Sequence, residues 1–355
     1  LEGLSVQAET DQSRIHLRGS LHNLLTDPIM DLSLKVDLSP GELDQWITLD
    51  RVVRELVTIE ADITGQPGNP TITLSLHHTE EDTPTADPPL LEALDISARL
   101  ADRIFFLDSL DLSTAGIRLH ATGSAHMQEV FPEGYLAAPA EPDWDALSYA
   151  VTIQQQVTDL RRLPLDMPDD LEGVLTSAIV LKGRGIDPQT LSTDFSVQAD
   201  LESLRFDRRG QPTGATLSAE GSLERSTLRI ASLQVNTKGA SLFFSGSTHL
   251  ETGHIEGAAE LSIPELKLLP LPLEEGALAG SVNLKAFSEG TLDNPRMSLS
   301  GTARRLSWDE LRIGDVDLAA NLDEAGRVTL ENLTITRDES TVRAGGTMDI
   351  FDEGY

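Results

Sequence analysis

Apolar and polar residues alternate along most of this chain. Over 31–38, Leu32, Leu34, Val36 and Leu38 alternate with Asp31, Ser33, Lys35 and Asp37. Over 193–201, Phe195, Val197, Ala199 and Leu201 alternate with Asp194, Ser196, Gln198 and Asp200. The period of two recurs at Ile72/Leu74/Leu76, Leu94/Ile96/Ala98/Leu100, Leu228/Ile230, Leu261/Ile263, Val328/Leu330 and Leu333/Ile335. Successive side chains of a strand point to opposite faces. The pattern therefore predicts antiparallel strands with one apolar and one wet face. Short gaps holding Gly, Asp, Asn or Pro predict hairpins and meanders, as at Asp323-Glu-Ala-Gly326 between Leu322 and Val328.

Two internal repeats run through the alternation. The first reads apolar-x-apolar-x-Gly-(Ser/Thr). It occurs as Ile15-His-Leu17-Arg-Gly19-Ser20, Leu119-His-Ala121-Thr-Gly123-Ser124 and Leu217-Ser-Ala219-Glu-Gly221-Ser222. Further copies are Leu242-Phe-Phe244-Ser-Gly246-Ser247, Met297-Ser-Leu299-Ser-Gly301-Thr302 and Val342-Arg-Ala344-Gly-Gly346-Thr347. Each Gly stands where the next inward side chain belongs, which permits a bulge or close approach of another backbone. The second repeat is Asx-Pro before a strand: Asp27-Pro28, Asn69-Pro70, Asp187-Pro188 and Asn294-Pro295. Proline lacks an N–H and suits the first residue of a strand. The copies are unevenly spaced, so this is a quasi-repeat of strands rather than a strict solenoid period.

Three stretches depart from the pattern. Ser39-Pro40-Gly41-Glu42-Leu43-Asp44-Gln45-Trp46 reads as a capped short helix, near 40–46. Glu80 to Pro89 is acidic and rich in Pro and Thr, and reads as a loop. Residues 132–172 carry Pro132, Pro139, Pro142, Pro164 and Pro168, with helical pieces expected near Asp143–Tyr149 and Val157–Leu163. The expected organisation is a strand-rich segment over 1–131, a Pro-rich, partly helical connector over 132–172, and a second strand-rich segment over 173–355.

Composition narrows the function classes. The chain has 355 residues, 39% of them hydrophobic, enough to bury a core. It carries 27 Lys+Arg against 58 Asp+Glu, a net charge of −31. Such a surface repels phosphate backbones, so no nucleic-acid partner is expected. With no Cys there is no disulfide framework and no thiolate chemistry. No apolar run reaches the roughly 18 residues of a membrane-spanning helix. Leu1-Glu2-Gly3 is neither an initiator Met nor a basic leader, so the sequence reads as a segment of a longer chain.

Catalytic signatures are missing. There is no HExxH, GxSxG, GxGxxG opening a helix or GxxxxGK(S/T). Gly183-Arg-Gly185 precedes a turn and reads as loop geometry. His77 and His78 are adjacent, so on a strand they face opposite ways. His249 and His254 flank Glu251-Thr-Gly253 and read as a hairpin before a metal site. Carboxylates are abundant enough that some pair falls near glycosidase spacing by chance, while 4% aromatic content argues against a sugar-stacking cleft. Neither an enzyme nor a cofactor or metal is expected.

A long sheet with one apolar face must hide it. It can pair into a sandwich, close as a barrel, wind as a solenoid, or fold into a trough whose apolar wall covers something else. A wall of Leu, Val, Ile and Ala suits acyl chains, offering area without polar obligations. A protein core has the same composition, so the residues alone leave these solutions open.

The run from Gly290 through Asn294-Pro295 and Met297-Ser-Leu299-Ser-Gly301-Thr302 to Ala303-Arg304 resembles the AsmA-like superfamily, most closely its TamB (translocation and assembly module) branch. Leu306-Ser-Trp308 to Leu318, then Val328 to Ile335, then Gly345-Gly346-Thr347 continue that pattern: strand, Gly turn, closing Gly-Gly-Thr strand. Asp159-Leu-Arg-Arg-Leu163, Leu171-Glu-Gly173, Leu181-Lys-Gly183 and Asp187-Pro188 are similar to the family's short helix followed by Gly-punctuated strands. The resemblance spans most of residues 15–350.

It implies an all-β fold, an elongated antiparallel sheet curled into an open hydrophobic groove (a β-taco) with a few short helices. It also implies the periplasmic part of a protein anchored in the inner membrane of a diderm bacterium. The implied function is carrying phospholipid between the inner and outer membranes in support of outer-membrane biogenesis and protein assembly. The implied partners are phospholipid acyl chains and, through parts of the protein outside these residues, an outer-membrane barrel such as TamA. The other reading is a structural or adhesive β-solenoid or sandwich without a lipid groove. On the order of twenty strands at about 4.8 Å would make a trough about 100 Å long. The expected lining is Phe195 and Val197; Leu217 and Ala219; Leu228 and Ile230; Leu284; Met297 and Leu299; Ile313 and Leu318; and Val328, Leu330 and Ile335.

Overall fold

In the computed structural model the described residues are 3–10, 13–39, 56–79, 91–135, 142–158, 160, 172–187, 189–205, 213–269 and 278–349. They form an all-β structure, with only two one-turn 3₁₀ helices among them. The helix expected at 40–46 and the loop expected at 80–89 lie outside the described residues. By its contacts the chain divides into two compact units, Leu1–Arg162 with Ala178–Leu191, and Leu163–Ser177 with Ser192–Tyr355. In each, the sheet is antiparallel, curled and unclosed.

The first unit contains β1 (Leu4–Glu9), β2 (Arg14–His22), β3 (Ile29–Leu38), β4 (Val57–Gln66), β5 (Asn69–Thr79), β6 (Ala93–Ala101), β7 (Ile104–Thr114), β8 (Ile117–His126) and β9 (Ser148–Val157). Each pairs with its successor. The strand β10 (Glu172–Arg184) contributes residues to both units. The prolines around residue 140 suggested a connector, yet β9 lies within 132–172. Its Tyr149, Val151 and Ile153 sit opposite Ala125, Gly123 and Ala121 of β8, and this apolar row holds the segment extended. Only Trp144–Ala146 of the expected helical piece at 143–149 is helical, capped by the Asp143 carboxylate, which accepts from the Asp145 N–H at 3.2 Å.

The first unit seals its apolar face at the strand ends. Val57, Leu91, Val157 and Leu160 are buried at one end, and Val130, Ala146 and Leu147 near the other. The segment 127–135 is tied to the turns beside it. Met127 N–H donates to the Arg103 carbonyl at 2.7 Å, and Tyr135 N–H to the Gly68 carbonyl at 3.3 Å. The Arg103 guanidinium donates to the Pro132 carbonyl at 2.7 Å. Phe131 packs on Tyr135 (ring centroids 5.0 Å apart) and edge-on to Trp144 (5.8 Å). The Tyr135 hydroxyl is buried with no hydrogen-bond partner among the described residues, and burial raises its pKa above the ordinary phenol value.

The second unit contains β11 (Ser192–Arg205), β12 (Thr213–Glu224), β13 (Thr227–Thr237), β14 (Ser241–His249), β15 (His254–Ile263), β16 (Leu278–Thr291), β17 (Pro295–Trp308), β18 (Leu311–Leu322), β19 (Arg327–Arg337) and β20 (Ser340–Asp349). Again each strand pairs with its successor. The turn at Asp323 forms as expected, its carboxylate accepting from the N–H groups of Ala325 and Arg327, both at 2.9 Å.

The motif glycines Gly19, Gly123, Gly221, Gly246, Gly301 and Gly346 fall on β2, β8, β12, β14, β17 and β20, so the repeat is uneven in strands as well as in residues, although four of them stand six strands apart. Gly19, Gly123, Gly246 and Gly346 lie on β2, β8, β14 and β20. The strand before the last three of these breaks register at the same point, between Leu107 and Leu110, Ile230 and Leu233, and Leu330 and Leu333. The residue starting each break is the register partner of the motif glycine: Leu107 of Gly123, Ile230 of Gly246, Leu330 of Gly346. A bulge adds residues on one strand; the backbone that a Cβ would meet at Gly123 and Gly246 is that of the following strand, at the Ala150 and Glu256 carbonyls, and a Cβ on Gly346 would meet nothing. Asp27-Pro28, Asn69-Pro70, Asp187-Pro188 and Asn294-Pro295 fall at the junctions β2–β3, β4–β5, β10–β11 and β16–β17. Spacing in residues is uneven because loop lengths vary: β5 and β6 are separated by residues 80–92, whereas Asp309 and Glu310 alone separate β17 from β18.

The buried Tyr135 hydroxyl yields a pH prediction. A phenol whose folded pKa is raised stabilises the fold fully below its unfolded pKa of about 10 and loses that contribution as pH rises through the folded value. Tyr135→Phe should therefore lose less stability than the wild type between about pH 9 and pH 11. Denaturant midpoints across that range check this; parallel losses in both proteins would refute it.

Candidate functional site

The apolar face of the second unit is the candidate site. It is built by register. Ala199, Leu217, Val235, Leu242, Leu261, Leu284, Gly301, Leu318, Leu333 and Ala344 are successive partners on β11 through β20. Beside them run Val197, Ala219, Leu233, Phe244, Ala259, Ala286, Leu299, Ala320, Leu330 and Gly346, again one per strand. A third row runs Phe195, Gly221, Ile230, Gly246, Gly257, Ser288, Met297, Leu322, Val328 and Met348. No charged residue interrupts any of them, and the only polar side chain is Ser288. Nine interstrand steps of about 4.8 Å carry each row roughly 43 Å.

Most residues of these rows are half-covered, while Ala199, Gly257 and Gly301 are buried. Ala199, Ala215, Ile263 and Leu266 are the buried hydrophobic residues among the described ones of the second unit. Met297 is 43% exposed and Leu299 36%.

Two rings lie on the wall, each beside glycine. A Cβ built on Gly246 or Gly257 would stand 3.1 Å from the Phe244 ring, and one on Gly221 would stand 2.5 Å from Phe195 Cζ. The rings occupy space that side chains at those positions would take, so the wall stays level where a bulky residue would make a ridge.

Of the expected lining residues, Phe195, Val197, Leu217, Ala219, Leu228, Ile230, Leu284, Met297, Leu299, Leu318, Val328, Leu330 and Ile335 share this face by register. Ile313 does not join a row. It falls in a register break between Gly314 and Arg312 and has no direct partner on β17. Leu233, Val235, Leu242 and Phe244 complete the wall. The phase of Leu233 and Val235 was hidden because the bulge after Ile230 inserts two residues where alternation calls for one. Pairs of apolar residues three apart, as in Ile230/Leu233 and Leu330/Leu333, carried that signal.

The opposite face is charged and wet. Lys285 donates to Glu260 at 2.6 Å, Arg304 to Asp317 at 2.8 Å and Arg327 to Asp349 at 2.9 Å. Hydrogen bonding to those carboxylates raises the pKa of Arg304 and Arg327. All these pairs are solvent-exposed and contribute little each.

The histidines sort by face. In the first unit His77 bonds the Asp95 carboxylate on the wet side, while the adjacent His78 is 1% exposed on the apolar side. His249 and His254 are register partners across the hairpin turn, and His249 Nδ1 accepts from the Thr252 N–H at 3.3 Å. Among the described residues no group of three His, Asp or Glu is placed to hold a metal ion, and no helix is long and apolar enough to cross a membrane. Compared with known proteins, the chain matches no family model, no curated protein and no solved structure.

Filling one of the glycine positions should strain the wall. Gly221→Val forces the side chain into Phe195 and should destabilise the protein by about 1–3 kcal/mol, as overpacking typically does. Denaturant unfolding checks this, with Ser222→Val on the adjacent outward position as the comparison; equal effects of the two would refute it.

Proposed function

We propose that the apolar face of the second unit is a wall for lipid acyl chains, and that the protein carries phospholipid along it between two membranes. The observation that carries this reading is the three register rows, uncharged across ten strands and left half-exposed. An apolar face of this extent, with no second layer over it among the described residues, marks a binding surface. Its roughly 43 Å is nearly three times the depth of one bilayer leaflet, about 15 Å. Burying an acyl chain gains roughly 0.8 kcal/mol per CH₂. Where the wall has the same chemistry at each step, that gain stays nearly constant as the chain moves, so the lipid slides without deep traps. Ala, Gly and Leu in register supply that sameness. The resemblance to the AsmA-like superfamily points the same way and implies a periplasmic location in a diderm bacterium, in support of outer-membrane assembly.

Lipid mass spectrometry of solvent extracts tests this reading. The protein, purified mildly from a bacterial host, should carry phospholipid at or above equimolar amounts, where an acidic protein of similar size prepared in parallel carries none. Leu299→Asp and Leu330→Asp should each lower bound lipid by at least about tenfold. A carboxylate pressed against an acyl chain costs more than the 1.4 kcal/mol that a tenfold change requires. A lipid-free wild type that unfolds cooperatively, or aspartate variants with undiminished lipid, would overturn the proposal in favour of a structural or adhesive β-protein whose apolar faces satisfy each other.

A further inference from the structure

The apolar wall of the second unit reaches one rim of the sheet through a tryptophan. Beside the three rows runs a fourth, in which Ile263, Val282, Ala303, Val316, Ile335 and Val342 are successive register partners on β15 through β20. Beyond Ala303 on β17, Leu306 is the register partner of Gly314, and Trp308 has Leu278 and Leu311 as its partners on β16 and β18. Leu278 stands in the inward phase of β16, with Val282 and Leu284. The chain then turns through Asp309 and Glu310. At Trp308 the wall thus passes from aliphatic rows to a charged, wet turn.

Trp308 is not a core ring. It is 51% exposed and its partner Leu311 62%, so another molecule can reach both. The indole N–H has no hydrogen-bond partner among the described residues. At the opposite ends of these strands the inward row is Thr248, Ile255, Gly290 and Pro295, without a ring. A tryptophan combines a large apolar body with a single donor. It settles where hydrocarbon meets water, the body on the apolar side and the N–H on a polar partner.

We infer that Trp308 marks the headgroup side of the wall. A phospholipid lies with its acyl chains along the strands and its ester carbonyls at the indole, whose N–H donates to one of them. Its headgroup stands in water beyond the Asp309-Glu310 turn. This rests on the reading of the wall as an acyl-chain surface, and adds which way round the lipid lies and which residue fixes its depth. The dimensions agree. At about 3.3 Å per residue, the roughly 15 Å of hydrocarbon in one leaflet covers about five residues of strand, the stretch from Trp308 to the row of Ala303. A lipid held this way can move across the strands while its headgroup stays at one rim.

The emission of Trp308 tests this. In Trp46→Phe/Trp144→Phe it is the only tryptophan left. Circular dichroism confirms that this variant is folded. It is loaded from vesicles of phosphatidylcholine brominated on one acyl chain, near either the ester end or the methyl end. Gel filtration then removes the vesicles, and mass spectrometry of a solvent extract gives the lipid retained. Bromine quenches indole on contact. The ester-end label should therefore quench Trp308 at least about twofold more strongly than the methyl-end label, which lies about a leaflet's depth away. Retained lipid with equal quenching, or with stronger quenching by the methyl-end label, would overturn the inference and leave the acyl-chain wall standing. A protein that retains no lipid would overturn that reading of the wall, and the inference with it. Quenching that vanishes with the vesicles while extracted lipid persists would assign the ring to a membrane surface and overturn the inference. Trp308 emission that changes with protein concentration before any lipid is added would overturn it in favour of a second copy.

Discussion

Register is the constraint on which the rest of this structure depends. A sheet without a second layer over its inner face keeps that face apolar only if each strand stays in phase with its neighbours. Because side chains alternate strictly, a slip of one residue would exchange Leu284 and Leu261 for Lys285 and Glu260, and the wall would carry an ion pair at its centre. Ten strands hold their phase in the second unit, through four-residue and two-residue turns alike. The proline at the start of β17 and the Asp323 turn before β19 each fix where a strand begins, and so which of its residues face inward.

Bulges are where phase could be lost, and the glycine motif sits beside them. Ile230 and Leu233 both face inward although two residues separate them, and the strand recovers its phase opposite Gly246 and Phe244. The same solution recurs at Leu107 with Gly123 and at Leu330 with Gly346. In the second unit the glycines have another effect, since Phe244 and Phe195 lie into the space they leave and keep the wall even.

The two faces divide the physical work. The apolar rows gain by covering hydrocarbon and are indifferent to position along the sheet. The wet face carries the charge, and its ion pairs run across strands, as Lys35 with Glu60 in the first unit and Lys285 with Glu260 in the second. Such exposed pairs add little stability, but like charges directly opposite would be unfavourable, so they help select the register that the apolar side also demands. The outward rings at Phe106, Phe243 and Phe287 are exceptions to this division.

The alternation of Leu32 to Leu38 and of Phe195 to Leu201 determined the all-β character, the antiparallel pairing and the inward side of those strands, because a period of two permits no other regular structure with one apolar face. It likewise determined that His77 and His78 part company. What the sequence could not determine is whatever depends on two segments meeting. Alternation is local, so it could not show that Ile230 and Leu233 share a face across a bulge, that Ile313 falls in one, or that Ser148–Val157 is a strand despite the surrounding prolines. That Gly123, Gly246 and Gly346 each pair with the residue that starts a register break was likewise visible only once the strands were aligned. Phe243 and Phe244 are adjacent and chemically identical. Only the register of β13 and β15 decided that one ring lies on the apolar wall beside glycine and the other stands among carboxylates on the outside, since facing is a property of the paired sheet and not of the residue.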